Sequence, residues 1–225
     1  MTTKKKSTKS SPATKGASED KPASKGGRGG AAAIARKILA EENPQSKIAE
    51  HGETMMEGPR TAATQSARVL SELVAQKPEL VVPLVSKFAK GISSSNKRVV
   101  QASAEALPAI ARIAPARVAR QLDVLKSSFQ EANDVGKDGL VKTFAALCTA
   151  SVAYQKRLEP VLTLALSKAD GKTLLAWSQI VLPALKGEPH ARARAVVEGR
   201  LNLIPRSYAQ QIADFLGIKL RLRYR

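Results

Sequence analysis

The chain has one cysteine, Cys148, two histidines, His51 and His190, and only 4% aromatic residues. A lone thiol cannot close an internal disulfide, so a reducing compartment is expected, and Cys148 within FAALCTA reads as a buried small hydrophobe. One Cys and two distant His cannot build a Cys/His metal cluster. No GxxxxGK[ST] or GxGxxG pattern occurs, and the glycines at 26–30 read as linker composition, not as a phosphate cradle. No apolar run approaches the roughly 18–20 residues that a membrane span needs. The basic N-terminal stretch lacks the apolar segment of a secretory signal, so the expected location is intracellular: nucleoid or cytoplasm, or nucleus.

Acids are scarce as well. There are 19 Asp and Glu against 37 Lys and Arg, a net charge of +18. Glu41 and Glu42 are adjacent but fall at a helix-to-linker boundary, and no Ser/His/Asp set stands out. No catalytic residue, cofactor or small-molecule substrate is expected. The cationic excess points to a polyanion: DNA first, with RNA or an acidic protein as alternatives. Few aromatics argue against base stacking and for contact with backbone phosphate, hence little sequence preference.

Residues 1–30 contain no Leu, Ile, Val or aromatic residue and carry seven lysines and Arg28 against Glu19 and Asp20, a net +6. Such a segment cannot bury apolar surface, so a disordered cationic tail is expected, with Lys4, Lys5 and Lys6 as phosphate contacts. Residues 31–41 read as a short helix with Ile34, Ile38 and Leu39 on one side, and 43–58, with Pro44, Gly52 and Gly58, as a linker.

From residue 59 the chain repeats itself. SARVLSELVA from Ser66, SAEALPAIAR from Ser103, TFAALCTASV from Thr143 and SQIVLPALKG from Ser178 align without gaps. Their leucines, Leu70, Leu107, Leu147 and Leu182, are 37, 40 and 35 residues apart. In the stretch 97–115, Val99, Ser103, Ala106, Ile110 and Ile113 recur at helical spacing. Each stretch is followed by a second apolar-periodic segment, at 78–90, 115–131, 155–168 and 189–204. Three of these open with proline, where a first turn tolerates a missing N–H. Four helix pairs at a period of 35–40 residues predict a helical solenoid. A final helix over 206–218, with Tyr208, Ile212 and Phe215 facing the last repeat, caps it, and the tip 219–225, KLRLRYR, adds Arg221, Arg223 and Arg225.

The segment NKRVVQASAEAL from Asn96, followed by Pro108, resembles the HEAT-repeat (armadillo-like) family: a polar turn, a Val-Arg-like pair, an Ala-rich face and a closing Leu. The resemblance spans roughly residues 59–204. It implies an all-α, right-handed α-α superhelix of about four HEAT-like pairs over residues 59–218. The family's second-helix Asp and Arg ladder is not regular here. Some HEAT-like proteins are DNA glycosylases, but Trp177 sits among Leu174, Leu175 and Val181, and Asp123 and Glu159 have no aromatic companions. If, as the resemblance implies, the second helices line the concave face, positive charge falls there in every pair: Lys87 and Lys90, then Arg117, Arg120 and Lys126, then Lys156 and Arg157, then Arg192, Arg194 and Arg200. The expected function is a non-enzymatic, sequence-independent DNA-binding scaffold of nucleoid or chromatin. The alternatives are a protein-interaction scaffold for an acidic partner and an RNA-associated protein.

Overall fold

The computed structural model describes residues 28–220. The expected disordered tail, with Lys4, Lys5 and Lys6, and the cations Arg221, Arg223 and Arg225 lie outside the described residues, apart from the helical start at Arg28. Every regular element among them is helical: α1 (Arg28–Leu39), α2 (Gln45–Glu57), α3 (Arg60–Gln76), α4 (Val85–Gly91), α5 (Lys97–Ile113), α6 (Pro115–Ala119), α7 (Leu122–Glu131), α8 (Asp134–Ala150), α9 (Val152–Lys168), α10 (Gly171–Ala184), α11 (Gly187–Arg200) and α12 (Arg206–Leu216). Two 3₁₀ segments, Pro78–Leu84 and Leu201–Leu203, complete the order.

Contacts run between near neighbours. One row passes from α1 to α3, α5, α8, α10 and α12, each packed on the next. The other elements lie beside this row: α2 on α3, α4 on α5, α6 and α7 on α8, α9 on α8 and α11 on α9. Leu70, Leu107, Leu147 and Leu182, aligned by sequence, are all buried in the row. So are the hydroxyl residues that open the aligned stretches, Ser66, Ser103, Thr143 and Ser178. Small side chains at that register let neighbouring helices come close. Thr143 donates back to Gly139 O (2.7 Å) and Ser178 to Leu175 O (2.9 Å), which satisfies their hydroxyls without a partner helix. The α5–α8 contact brings backbones close: a Cβ on Gly139 would stand 2.5 Å from both Cα and Cβ of Ala104.

Polar residues in the links are helix caps. Asn96 accepts from the Arg98 N–H and gives its amide to Thr64 Oγ1 (3.1 Å), joining the starts of α3 and α5. Asn133 caps α8 through the Gly136 N–H, and Asp170 caps α10 through the Thr173 N–H at 2.7 Å. These backbone N–H groups hold the Asp170 carboxyl below its ordinary range.

Several expectations need correction. Residues 45–57 form a helix, not a linker, with Ile48, Gly52 and Met55 buried on one face. Gly52 there is a point of close approach, since a Cβ would lie 2.8 Å from Leu84 Cδ2. The first helix starts at Arg28. The segment 78–90 is not one helix, because Pro83 supplies no N–H and the chain runs as 3₁₀ until Leu84. The segment 115–131 breaks at Arg120 and Gln121 into α6 and α7. Ile113, at the last turn of α5, is 49% exposed. Phe215 is also exposed, because the buried side of α12 runs through Ala209, Ile212 and Ala213.

Candidate nucleic-acid interface

Half of the ten candidate cations within the described residues are held by the protein itself. Lys87 on α4 pairs with Glu53 on α2. Arg157 on α9 approaches Asp123 on α7 (3.7 Å). Arg192 on α11 forks onto Glu159 of α9, with Nε and Nη2 each 3.3 Å from a carboxylate oxygen, and also reaches Glu188 (2.6 Å). In these pairs a cation reaches an acid 34, 34 and 33 residues earlier, on an element of the preceding pair. Arg194 pairs with Glu198 (2.7 Å) and donates to Leu216 O (3.1 Å), tying α11 to the end of α12. Arg200 donates to Ser167 O and to Ala169 O (2.7 Å), where α9 has run out of N–H partners for its carbonyls. A uniformly positive wall on the second helices is therefore absent among the described residues.

The other five, Lys90, Arg117, Arg120, Lys126 and Lys156, make no ion pair among the described residues. Lys126 is half-buried and Lys90 lies exposed in the last turn of α4. Arg117, Arg120 and Lys156 are exposed, on α6, at its end and on the first turns of α9. α6 packs on both α5 and α8, and the Arg157–Asp123 pair holds the start of α9 beside the start of α7.

Buried Gln155 continues that end of the molecule. Its amide donates to Cys148 O (3.0 Å) and Ala184 O (3.3 Å), and its Oε1 accepts the Lys186 N–H (3.0 Å). One side chain thus joins the ends of α8 and α10 to the starts of α9 and α11. It fixes the Lys186 backbone beside the first turns of α9, and Lys186, like Arg112 at the last turn of α5, is exposed. Arg112 and Lys186 lie outside the second segments of the helix pairs and so were not among the candidate cations. Their signal is position: both flank the short links within helix pairs.

Cys148, His51 and Trp177 are held within the protein. Burial pushes the Cys148 thiol up to about 12, so it stays protonated. His51, half-buried on α2, shares a hydrogen bond with Ser66 Oγ (3.1 Å), and burial lowers its pKa. Trp177 packs in the core and donates its indole N–H to Asp138 Oδ1 (3.0 Å). No helix among the described residues is long and apolar enough to cross a membrane. No protein-family model, curated protein or solved structure matches this chain.

Proposed function

We propose that the chain is a HEAT-like helical solenoid that binds DNA without sequence preference, as a non-enzymatic scaffold of nucleoid or chromatin. Phosphates lie along the line Arg112, Arg117, Arg120, Lys156 and Lys186, and the cationic terminal segments add salt-dependent affinity. The observation that carries this reading is that five cations at or near the links within helix pairs are exposed and make no ion pair among the described residues, in a chain of net charge +18. The acids close to them in sequence, Asp123, Glu159 and Glu188, are engaged by Arg157 and Arg192. Helix contacts between near neighbours support the solenoid.

An electrophoretic shift with duplex DNA at two salt concentrations tests it. About six phosphate contacts imply a loss of about a thousandfold in affinity between roughly 50 and 200 mM salt. Replacing the five cations of the line by Gln lowers the salt slope by about 1 per lost contact, equally for unrelated sequences. Removal of residues 1–27 weakens binding further. Failure of the full chain to bind at low salt overturns the reading, and preference for structured RNA in competition moves it to the RNA alternative.

A further inference from the structure

At two successive corners, where the first helix of a pair turns into the second, one bulky aliphatic side chain faces solvent. α5 ends at Ile113, 49% exposed, and the chain turns through Ala114 into α6. α8 ends at Ala150, and α9 opens with Val152, 60% exposed. The exposed apolar residues beside them are alanines: Ala116 at the first corner, Ala150 and Ala153 at the second. Ile and Val are β-branched, so each side chain is stiff before anything binds. The corners lie on one edge. A Cβ on Gly136 would meet Ile92 O, just before α5, and one on Gly139 would meet Ala104 within α5, so α5 and α8 run in the same direction. Both have 17 residues and so end on the same side.

The charge around the corners has one sign. No Asp or Glu stands between Glu105 and Asp123, nor between Asp138 and Glu159. Arg112, Arg117 and Arg120 lie in the first span and Lys156 in the second, all exposed and without an ion pair among the described residues. Val152 and Lys156, four apart on α9, share a face. Asp123 and Glu159, which close the two spans, are engaged by Arg157 and Arg192. A polyanion that can also take in an aliphatic side chain suits these corners. A bilayer takes the whole apolar face of a helix, and here those faces point inward, with Val118, Leu158 and Leu162 buried. A protein segment seats best in a groove, and the cavity of about 790 Å³ between α7, α9 and α10 is lined by none of these residues. Duplex DNA admits single aliphatic groups between base steps from the minor groove, while cations hold the phosphates on either side.

We propose that Ile113, and Val152 on the next corner, enter the duplex between base pairs, with Arg112, Arg117 and Lys156 on the flanking phosphates, and that the bound DNA is bent there. Insertion rests on the DNA reading and adds an apolar contact and a bend to its phosphate contacts. An inserted aliphatic group needs no aromatic platform, and it senses how easily a step deforms instead of which bases form it. A chain with 4% aromatic residues can therefore still reach the base stack.

The test adds the full-length protein to a duplex of about 30 base pairs labelled at both ends, and reads energy transfer between the labels beside the electrophoretic shift. The expected result is a shortened end-to-end distance at saturation. Ile113→Ser combined with Val152→Ser, both at exposed positions, removes most of that shortening. Its affinity falls less than about tenfold, because the phosphate contacts remain. Ile113→Leu combined with Val152→Leu keeps the bend. A central mismatch, which is cheaper to unstack, tightens binding of the parent protein about tenfold and leaves the Ser variant unchanged. A duplex that is bound but keeps its length overturns the inference and leaves the DNA reading standing, whereas no binding at low salt overturns both. A Ser variant that bends the duplex like the parent overturns the location. If the Ser variant loses binding to phosphatidylserine vesicles while bending stays as it was, the two side chains belong to a lipid surface, which overturns insertion as well.

Discussion

Between α5 and α8 the backbones come so close that Gly139 has room for no side chain, whereas between α7 and α9 the chain leaves an open wedge. The two places are built from different materials. The row from α1 to α12 is joined by buried leucines and small residues at one register, so its spacing is set by shape. The other elements include the short α4, α6 and α7 and two 3₁₀ segments, and are linked by Lys87–Glu53, Arg157–Asp123 and Arg192–Glu159. Exposed ion pairs of the Arg157–Asp123 kind contribute about 0–1 kcal/mol each. The contrast teaches that one core, to which flanking residues such as Phe88, Leu125, Leu158 and Leu162 also belong, is closed tightly at Gly139 and left open to the surface between α7 and α9.

The contrast breaks most severely at Gly139. Gly139→Ala places a methyl against the Ala104 backbone, which cannot yield as a side-chain tip can. A loss of about 3 kcal/mol in chemical denaturation is expected. A loss below about 1 kcal/mol would mean that the row is not close-packed there.

Gln155 is where a flanking helix matters as much as the row. Gln155→Leu leaves the Cys148 and Ala184 carbonyls and the Lys186 N–H without their side-chain partner. About 2 kcal/mol should be lost by the same measurement. Hydrogen exchange should rise at the start of α11 before it rises in α5. Uniform exchange in both would erase the distinction.

The smallest effect concerns the cap of α10. Asp170→Ala should cost about 1 kcal/mol near neutral pH. The sign with pH follows from the depressed carboxyl, whose contribution is complete above the unfolded carboxylate range and fades as pH falls through the lower folded value. Parent and variant stabilities should therefore converge in acid. A difference that persists there would assign the effect to helix propensity instead of the charged cap.

Much of the apolar row was legible because its register is written locally, as a small or hydroxyl residue followed four positions later by a leucine, four times over. All four leucines are buried where that pattern puts them. α2 was not legible, because Gly52 and Gly58 look like breakers when no neighbour is known, and only Leu84 shows that Gly52 is a contact. The fate of the cations was harder still. Whether Arg192 is available depends on Glu159 from the preceding pair, and whether Arg200 is available depends on carbonyls at the end of α9. A lysine or arginine reads the same in sequence whether it meets solvent or a carboxylate. The recurrence of acid and base 33–34 positions apart at Glu53–Lys87, Asp123–Arg157 and Glu159–Arg192 was the available sign.

Gln155 also bears on how the molecule comes apart under load. Its side chain ties α8, α9, α10 and α11 at one place. Force spectroscopy should therefore record these four helices giving way together, and Gln155→Leu should split that event into smaller ones.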